Sequence, residues 1–402
     1  MSMEMAVDLV TPARGDGTYR RLASFGLAMA GGLSWLSFLS LPYEISLLID
    51  RFSITAQMAS WIASSEVLAL ALAVSIAGWF LGRADRRLCL LVALAAALAS
   101  DLVGIAPVGL AMVVASRIVF GLALGVVSAA SNALAADHPV PERMYAYMMV
   151  GLSVIFCCVM YGEPMLAGAF RTANLPAIEA ILIVAFGWAA FYVPRSSAAG
   201  RMPGSRVRLT LRLQFLLISI FILFLANSII WAFADQAAAK LGIVATTVAP
   251  LFTVSGVLML GGGLAATWLG DRRGYLLPLL IGAGAQAFSS IAIYSLQEQK
   301  PYFLGVLIFN ATLVFALPYA QAVLAELDES GTAVSYSGAA VNFGGALGPA
   351  AGALFFPYGF PFIGYSAAIL SGAGILMVLN STRLAEQRLV MRRGREASPD
   401  AL

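Results

Sequence analysis

The stretch GWFLGRADRR, residues 78–87, places three arginines and one aspartate between two apolar runs. The preceding run reads VLALALAVSIAGWFL and the following run reads LCLLVALAAALAS. Each run belongs to an apolar segment of about 20 residues, the length a helix needs to cross roughly 30 Å of hydrocarbon. The charged stretch is therefore interpreted as a short loop between two membrane helices.

The whole chain has the composition of a membrane protein. Of its 402 residues, 60% are hydrophobic and 11% are charged, whereas soluble domains carry about 25% charged residues. The apolar runs are continuous and lack the alternating pattern of barrel strands, so they predict helices. By the length criterion there are about twelve, at 25–48, 56–81, 88–106, 108–135, 145–170, 175–193, 215–233, 248–269, 276–296, 302–324, 334–356 and 362–379.

Basic residues are distributed unequally between the predicted loops. The N-terminal arm, the even-numbered connections and the C-terminal tail hold most of the arginines, whereas the odd-numbered connections hold only Arg51, Arg171, Lys240 and Lys300. Because basic loops stay in the cytoplasm, both termini are expected to be cytoplasmic in a multi-pass inner-membrane protein. Many alanines and arginines beside few lysines suggest a bacterial source. The net charge of +3 thus reflects orientation, and no nucleic acid partner is expected.

A basic segment rich in Gly, Ser and Pro divides the chain near its middle. It reads PRSSAAGRMPGSRVR and has the composition of a linker. We expect a six-helix bundle over 1–194, a cytoplasmic linker over 195–212, and a second six-helix bundle with a basic tail over 213–402. The second half repeats the charged stretch as TWLGDRRGY, residues 267–275, again after its second span. Duplicated halves of this kind are typical of secondary transporters.

These repeated loops resemble the cytoplasmic signature of the major facilitator superfamily. The first copy matches at Gly78, Gly82, Arg83, Asp85, Arg86 and Arg87, with the expected Asp and Gly exchanged at Gly82 and Asp85. The second copy keeps Asp271, Arg272 and Gly274. The resemblance implies twelve helices in two pseudo-symmetric bundles, with these loops latching the bundles on the cytoplasmic side. The acidic residue is expected to interact with the positive N-terminal end of a neighbouring helix.

Glycine and proline motifs extend the resemblance over almost the whole chain. The pattern as a whole is most similar to that of drug:proton antiporter branches, although the fifth span lacks their full spacing. Glycines four residues apart allow helices to approach closely, and proline bends a helix. The motif residues are Arg117, Gly121 and Gly125 in the fourth span, Gly162, Pro164 and Gly168 in the fifth, and Gly344, Gly348, Pro349 and Gly352 in the eleventh.

Ionisable residues inside spans are costly and indicate function. All of those predicted lie in the first half: Glu44, Glu66, Asp101, Arg117, Glu163 and Glu179. We expect Glu66 and then Glu163 to couple transport to protons, with Glu44 as a further candidate and Arg117 setting their charge state. Glu44 and Glu179 could instead be solvated at the outer mouth, and Asp101 is expected at the interface. Arg117 could also serve only to hold helices together.

The predicted spans of the second half contain only neutral polar candidates for a substrate cavity. These are Asn227, Trp231, Asn310, Tyr319, Gln321 and Asn342. No phosphate-binding loop, metal cluster or catalytic set is recognised, so neither an enzyme nor a cofactor or metal is predicted. The expected partners are a small-molecule substrate, protons and the lipid bilayer, and the protein is expected to be monomeric.

Three functions remain open at this point. The first is proton-coupled export of a small organic compound by alternating access. The second is proton-coupled uptake of an organic solute, with Arg117 available to bind an anion. The third is a transporter-derived sensor or assembly protein without turnover.

Overall fold

The structure is a computed structural model that describes residues 17–138, 140–170, 173–194, 210–270, 272–328 and 332–396. Within these ranges the chain forms α-helices and short 3₁₀ helices at Trp188–Tyr192 and Phe356–Tyr358, and contains no strand. The α-helices are α1 (Gly17–Leu33), α2 (Leu36–Leu39), α3 (Leu41–Phe52), α4 (Ala56–Leu81), α5 (Arg86–Ile105), α6 (Leu110–Ala136), α7 (Pro141–Phe170), α8 (Asn174–Gly187), α9 (Leu211–Ala232), α10 (Ala234–Lys240), α11 (Ala245–Leu269), α12 (Leu276–Tyr294), α13 (Gln299–Leu327), α14 (Thr332–Ala353) and α15 (Phe360–Glu396).

Every apolar run predicted from the sequence coincides with one helix or a short series of helices, so the all-helical membrane fold is confirmed. Ten helical segments in the described ranges are long and apolar enough to cross a membrane. The first predicted span is absent from these ten because it is divided into α1, α2 and α3. The eleventh, α14, is a continuous 22-residue helix, but its glycines, its hydroxyl side chains, Asn342 and Pro349 lower its mean hydropathy.

The break in the first span has a local cause. Ser34 donates its hydroxyl proton to the carbonyl of Gly31 at 2.7 Å, and Ser40 Oγ lies 2.5 Å from the carbonyl of Leu36. Pro42 lies in the first turn of α3 and has no N–H to offer the carbonyl four residues earlier. The backbone thus turns between α2 and α3, leaving the carbonyl of Phe38 available to another partner.

The helices pack mainly within two sets. In the first half, residues 17–194, α6 packs between α4 and α5 while α1 packs on α7. In the second half, residues 210–396, α9 packs between α14 and α15 while α13 packs between α11 and α12. The halves meet where α4 contacts α14 and where α7 contacts α11. The exact domain bounds predicted from the sequence stay a prediction, since residues 195–209 lie outside the described ranges.

Two membrane faces can be distinguished by chain order. The basic face is defined as the side where the α4–α5 and α11–α12 turns lie, and the opposite face as the other side. A large buried apolar cluster runs through the first half and continues into the opposite-face part of the second half, including Trp231, Phe252 and Phe309. The buried core of a separate cluster near the basic face consists of second-half residues such as Leu216 and Val323, with Trp35 of the first half packed against it. The core that the halves share therefore lies mainly toward the opposite face.

Hydrogen bonds between the halves follow the same distribution. The indole N–H of Trp231 donates to the carbonyls of Phe38 and Leu39, at 3.0 and 3.1 Å. Thus the carbonyl that Pro42 leaves without its helical partner is bound by a side chain of the other half. Nearer the opposite face, Ser46 Oγ donates to Asp235 Oδ2 at 2.6 Å.

The first charged loop on the basic face is organised within its own half. Asp85 caps α5, accepting from the backbone N–H groups of Arg87 and Leu88 at 3.0 and 3.4 Å. The acid therefore lies at the positive N-terminal end of α5, the helix that it precedes. Arg86 donates to Asp137, which follows α6. Of the other motif residues, Gly78 lies near the end of α4, and Gly82 and Arg83 lie in the turn after it.

The second loop is capped from a distant helix. Glu386 of α15 accepts from the backbone N–H groups of Tyr275 and Leu276, at 2.9 and 2.8 Å. Gly274 has a φ of +72° and approaches Glu386 so closely that a Cβ would collide with that carboxylate. Arg272 lies in the turn and is exposed, and Asp271 lies outside the described residues.

Candidate functional site

Arg117 lies near the middle of α6 and is buried, with 6% of its surface exposed. Its guanidinium stacks on the Phe120 ring, 4.4 Å from the ring centroid. One turn after Arg117, Gly121 lies against the backbone carbonyl of Glu66 in α4, where a Cβ would collide. The glycine thus lets α4 approach α6 closely enough for the Glu66 side chain to reach the guanidinium.

All five N–H groups of the guanidinium are directed at carboxylates, the full donor set of an arginine. Glu66 accepts from Nε at 2.5 Å and from Nη2 at 3.0 Å. Glu179 of α8 accepts from Nη1 at 2.7 Å and from Nη2 at 3.5 Å. Asp101 of α5 accepts from Nη1 at 3.4 Å. Glu66 and Glu179 therefore take four of the five donors, in the forked geometry that suits arginine and carboxylate.

Glu44 of α3 completes the cluster without such a bond. Its Oε1 lies 3.5 Å from Nε of Arg117, and both of its carboxylate oxygens are buried without a hydrogen-bond partner. Oδ2 of Asp101 is buried and unpartnered as well. The Arg117 cluster is defined here as Glu44, Glu66, Asp101, Arg117 and Glu179.

These positions correct two expectations from the sequence. Glu44 and Glu179 are not solvated at the outer mouth, and Asp101 is not interfacial, because all three have at most 2% of their surface exposed. The sequence placed each near the end of its span, where water is normally accessible. The break between α2 and α3 brings Ser40 against Glu179 Oε1, to which its hydroxyl donates at 2.7 Å.

A small cavity adjoins the cluster. It is lined by Glu44, Asp101 and Arg117 on one side and by Arg51, Gly104 and Pro176 on another. Its volume is about 20 Å³, measured as the space open to the centre of a water molecule, and about one such sphere suffices to hold a water. Arg51 spans the opposite-face end, donating to the carbonyls of Gly104 and Ala106 at 2.5 and 2.6 Å.

The charge balance of the cluster decides what chemistry it can perform. Four carboxylates against one guanidinium would leave three excess negative charges in a buried site if all were ionised. Repulsion between like charges is strong where water is excluded. Such a site takes up protons readily and releases them when its surroundings change, which is the property that a proton-coupled protein needs.

Glu163 lies apart from this cluster. Its carboxylate accepts a hydrogen bond from the side-chain amide of Asn174, and 8% of its surface is exposed. The expectation that Arg117 sets the charge state of both Glu66 and Glu163 therefore matches the geometry for Glu66 alone.

Asp235 is an acidic residue of α10 that was not among the predicted candidates. It was missed because the seventh predicted span ended at Phe233, whereas the buried segment continues into α10.

Two of the neutral candidates of the second half, Trp231 and Asn227, are buried in α9. Trp231 is buried among Phe156, Phe252 and Phe309, with ring centroids 5.5, 5.3 and 6.3 Å away. Asn227 lines a cavity of about 40 Å³, in the same measure, between α9, α12 and α13, and its Oδ1 is unpartnered.

The other four neutral candidates occupy different surroundings. Asn310 donates to Ser255 Oγ at 3.0 Å, and Tyr319 donates to the Ala266 carbonyl at 3.1 Å. Both bonds join helices of the second half. Gln321 and Asn342 are half-buried. The structure therefore does not gather all six predicted residues at one site.

The predicted glycine motifs lie at close helix contacts wherever their surroundings are described. Gly125 packs on α4 at Leu70, and Gly162 packs on Ile178. In α14, Gly344 and Gly348 face α9 at Phe221 and Ser228, and Gly352 faces Phe233, which follows α9. Pro164 and Pro349 lie inside α7 and α14, and Gly168 lies in the last turn of α7.

Comparison with known proteins places this geometry in a family. The sequence profile described as Major Facilitator Superfamily matches residues 23–327. A comparison with curated protein sequences yields no match.

Solved structures with the same fold are transporters. The xylose transporter XylE from E. coli, in an inward open conformation, matches with a TM-score of 0.71 and 14% identity, over 90% of this chain and 95% of that chain. A peptide transporter POT in complex with alafosfalin has a TM-score of 0.71 and 12% identity, over 96% and 99%. A bacterial homolog of the human lysosomal transporter Spinster, inward-facing, has a TM-score of 0.63 and 13% identity, over 94% and 99%.

Proposed function

This chain belongs to the Major Facilitator Superfamily of transporters, and we propose that it moves a small organic compound across the cytoplasmic membrane by proton-coupled alternating access. The observation that carries the proposal is the Arg117 cluster, in which four buried carboxylates surround one guanidinium. A proton taken up there changes the charge of a site that is connected, through the α2–α3 break, to the contacts between the halves.

The orientation proposed from the arginine distribution puts the basic face in the cytoplasm. With that orientation, the shared core and the Trp231–Phe38 bond close the extracellular side, while the separate second-half core near the basic face suits a cytoplasm-facing state. Rocking of the halves about the contacts of α4 with α14 and of α7 with α11 would then exchange the accessible side.

Export is the direction that we propose first. The Gly-Pro pairs around Pro164 and Pro349 resemble antiporter motifs, and buried carboxylates in the first half suit neutral or cationic cargo. Uptake is the second candidate, because two of the solved structures of similar fold are of xylose–proton symporters by name. Of the predicted cavity residues, Trp231 and Asn227 are favoured as substrate contacts. Trp231 bonds to the α2–α3 break, and Asn227 has an unpartnered carbonyl oxygen beside a cavity.

The experiment begins with a ligand. Thermal unfolding of the purified protein in detergent is followed at two pH values with organic cations, carboxylates, sugars, amino acids and lipophilic drugs. A ligand at about 100 times its Kd stabilises the folded state by roughly 2.7 kcal/mol, which is readily detected. The stabilising compound is then used in proteoliposomes under an imposed pH gradient.

The direction of substrate flux relative to proton flux distinguishes export from uptake. Substrate movement against the proton flow indicates export by antiport, and movement with it indicates uptake by symport. Glu66→Gln should abolish the pH-driven component, whereas Glu163→Gln, a matched buried carboxyl outside the cluster, should keep it. Flux that is insensitive to pH in the wild type would contradict proton coupling, and the absence of any flux would support a sensor without turnover.

A further inference from the structure

The five donors of Arg117 are all used, and this limits how many of the surrounding carboxylates can be ionised. Glu66 and Glu179 accept four of the five hydrogen bonds. Asp101 accepts the fifth, from Nη1 at 3.4 Å. Nothing is left for Glu44, both of whose oxygens are buried and unpartnered. A buried carboxylate without a donor is costly, whereas a protonated carboxyl is neutral and can itself donate.

Each under-bonded acid lies beside a well-bonded one. Glu44 Oε1 and Glu66 Oε2 both lie against Nε of Arg117, at 3.5 and 2.5 Å. Asp101 Oδ1 and Glu179 Oε2 both lie against Nη1, at 3.4 and 2.7 Å. In both pairs two acceptors face one another, so a hydrogen bond forms only if one of them carries a proton. The two pairs lie around the same guanidinium and come from different helices, α3 with α4 and α5 with α8.

We propose that the Arg117 cluster holds two protons, one shared between Glu44 and Glu66 and one shared between Asp101 and Glu179. Two shared protons leave two negative charges against the one positive charge of Arg117, in place of four. Glu44, with two unpartnered oxygens, and Asp101, with one, then each gain a hydrogen bond. The inference extends the proposed function by giving its coupling site two exchangeable protons.

The charged groups facing this site come from every helix around it and agree with the assignment. They are Glu44 and Arg51 of α3, Glu66 of α4, Asp101 of α5, Arg117 of α6 and Glu179 of α8. Arg51 is engaged by the carbonyls of Gly104 and Ala106 at the far end of the cavity. The cavity reaches Glu44 and Asp101, one member of each pair, and can admit a water to carry protons to both.

Infrared spectroscopy of the purified full-length protein tests the inference without a substrate. A protonated carboxyl gives a carbonyl stretch above the amide band, and this stretch shifts in D₂O. Relative to the wild type, Glu44→Gln and Asp101→Asn should each lose the signal of one carboxyl, and the double variant should lose two. Glu163→Gln serves as the control, because it removes only a carboxyl outside the cluster and must leave both cluster signals in place.

The sharing of one proton between Asp101 and Glu179 can be tested with a second variant, so the test does not depend on one variant folding well. Glu179→Gln should lose the same one-carboxyl signal as Asp101→Asn, because either change removes the partner of the shared proton. The double variant Asp101→Asn/Glu179→Gln should lose no more than either alone. Additive loss in that double variant, or an unchanged signal in Glu44→Gln or Asp101→Asn, would overturn the inference.

Failure here is distinguishable from failure of the proposed function. If proton-driven flux is measured but the infrared signals fit one carboxyl, the two-proton assignment is wrong and proton coupling stands. If both carboxyl signals are found but flux ignores the pH gradient, the assignment stands and the proposed coupling fails.

Discussion

The two halves of the molecule have the same helix order but differ in how their buried polar side chains are paired. Between the helices of the first half lies a charged cluster, with Arg117 bound to acids from four other helices. Between those of the second half, neutral side chains make uncharged hydrogen bonds, as Asn310 does to Ser255 and Tyr319 to the Ala266 carbonyl. A site that changes charge can respond to a proton gradient, whereas a neutral bond mainly fixes helix position.

Removal of the guanidinium should have the largest effect. Arg117→Leu would leave four buried carboxylates without their cation, and breaking a buried ion pair costs about 3–5 kcal/mol. Because these acids are harmful only when ionised, the variant should regain stability as the pH falls. Thermal unfolding in detergent across a pH series measures both effects.

The matched change in the second half sharpens the comparison. Asn310→Leu removes two neutral hydrogen bonds, to Ser255 Oγ and to the Val306 carbonyl, and should cost about 1–2 kcal/mol, with no recovery at low pH. Equal losses for the two variants, or a loss in Arg117→Leu that is independent of pH, would mean that the halves do not differ as described.

The second largest effect is expected from a substitution that disturbs the close approach of α4 and α6. In Gly121→Ala the added methyl would collide with the Glu66 carbonyl, and overpacking of this kind costs about 1–3 kcal/mol. It would also displace Glu66 from Arg117, so proton-driven flux should fall together with the melting temperature.

Gly261→Ala in α11 is the control, since its Cβ would meet nothing within 4 Å. Alanine is a better helix former than glycine by about 0.8–1.0 kcal/mol, so this variant should be as stable as the wild type or more so. A tolerated Gly121→Ala would show that the helices are farther apart than described.

The bond between Trp231 and the α2–α3 break is expected to contribute about 1 kcal/mol. Trp231→Phe keeps the aromatic packing but loses the N–H, so closure on the opposite face should weaken by about fivefold in equilibrium constant. Spin labels at Gln57 and Val244, near the opposite-face ends of α4 and α11, would report a larger population of long distances. An unchanged distance distribution would mean that apolar packing alone closes this face.

The caps on the basic face should give the smallest changes, about 0.5–2 kcal/mol each. Asp85→Ala removes a cap from within α5, whereas Glu386→Ala removes a cap that α15 supplies to α12. Hydrogen exchange should therefore rise mainly at the start of α5 in the first variant, and in both α12 and α15 in the second. If hydrogen exchange rose only at the start of the capped helix in both variants, the two loops would not differ in how they are capped.

Several features of this protein follow from the sequence alone. Twelve apolar runs of spanning length are enough to predict the helices, because hydrocarbon leaves the backbone no other continuous way to satisfy its hydrogen bonds. The repeated GWFLGRADRR and TWLGDRRGY loops are enough to predict the family, and Glu66 and Arg117 are identifiable as functional because charge inside a span is expensive.

Only the tertiary structure decided how those charges combine. Position along a span suggested solvated Glu44 and Glu179 and an interfacial Asp101, yet neighbouring helices bury all three against Arg117. Glu163, which looked equivalent to Glu66, is bonded to Asn174 instead. Sequence position gives the depth of a side chain in the membrane, but its partners depend on helix rotation, on breaks such as that at Ser40 and Pro42, and on the close contacts that glycines permit, all of which are set by packing between segments far apart in the chain.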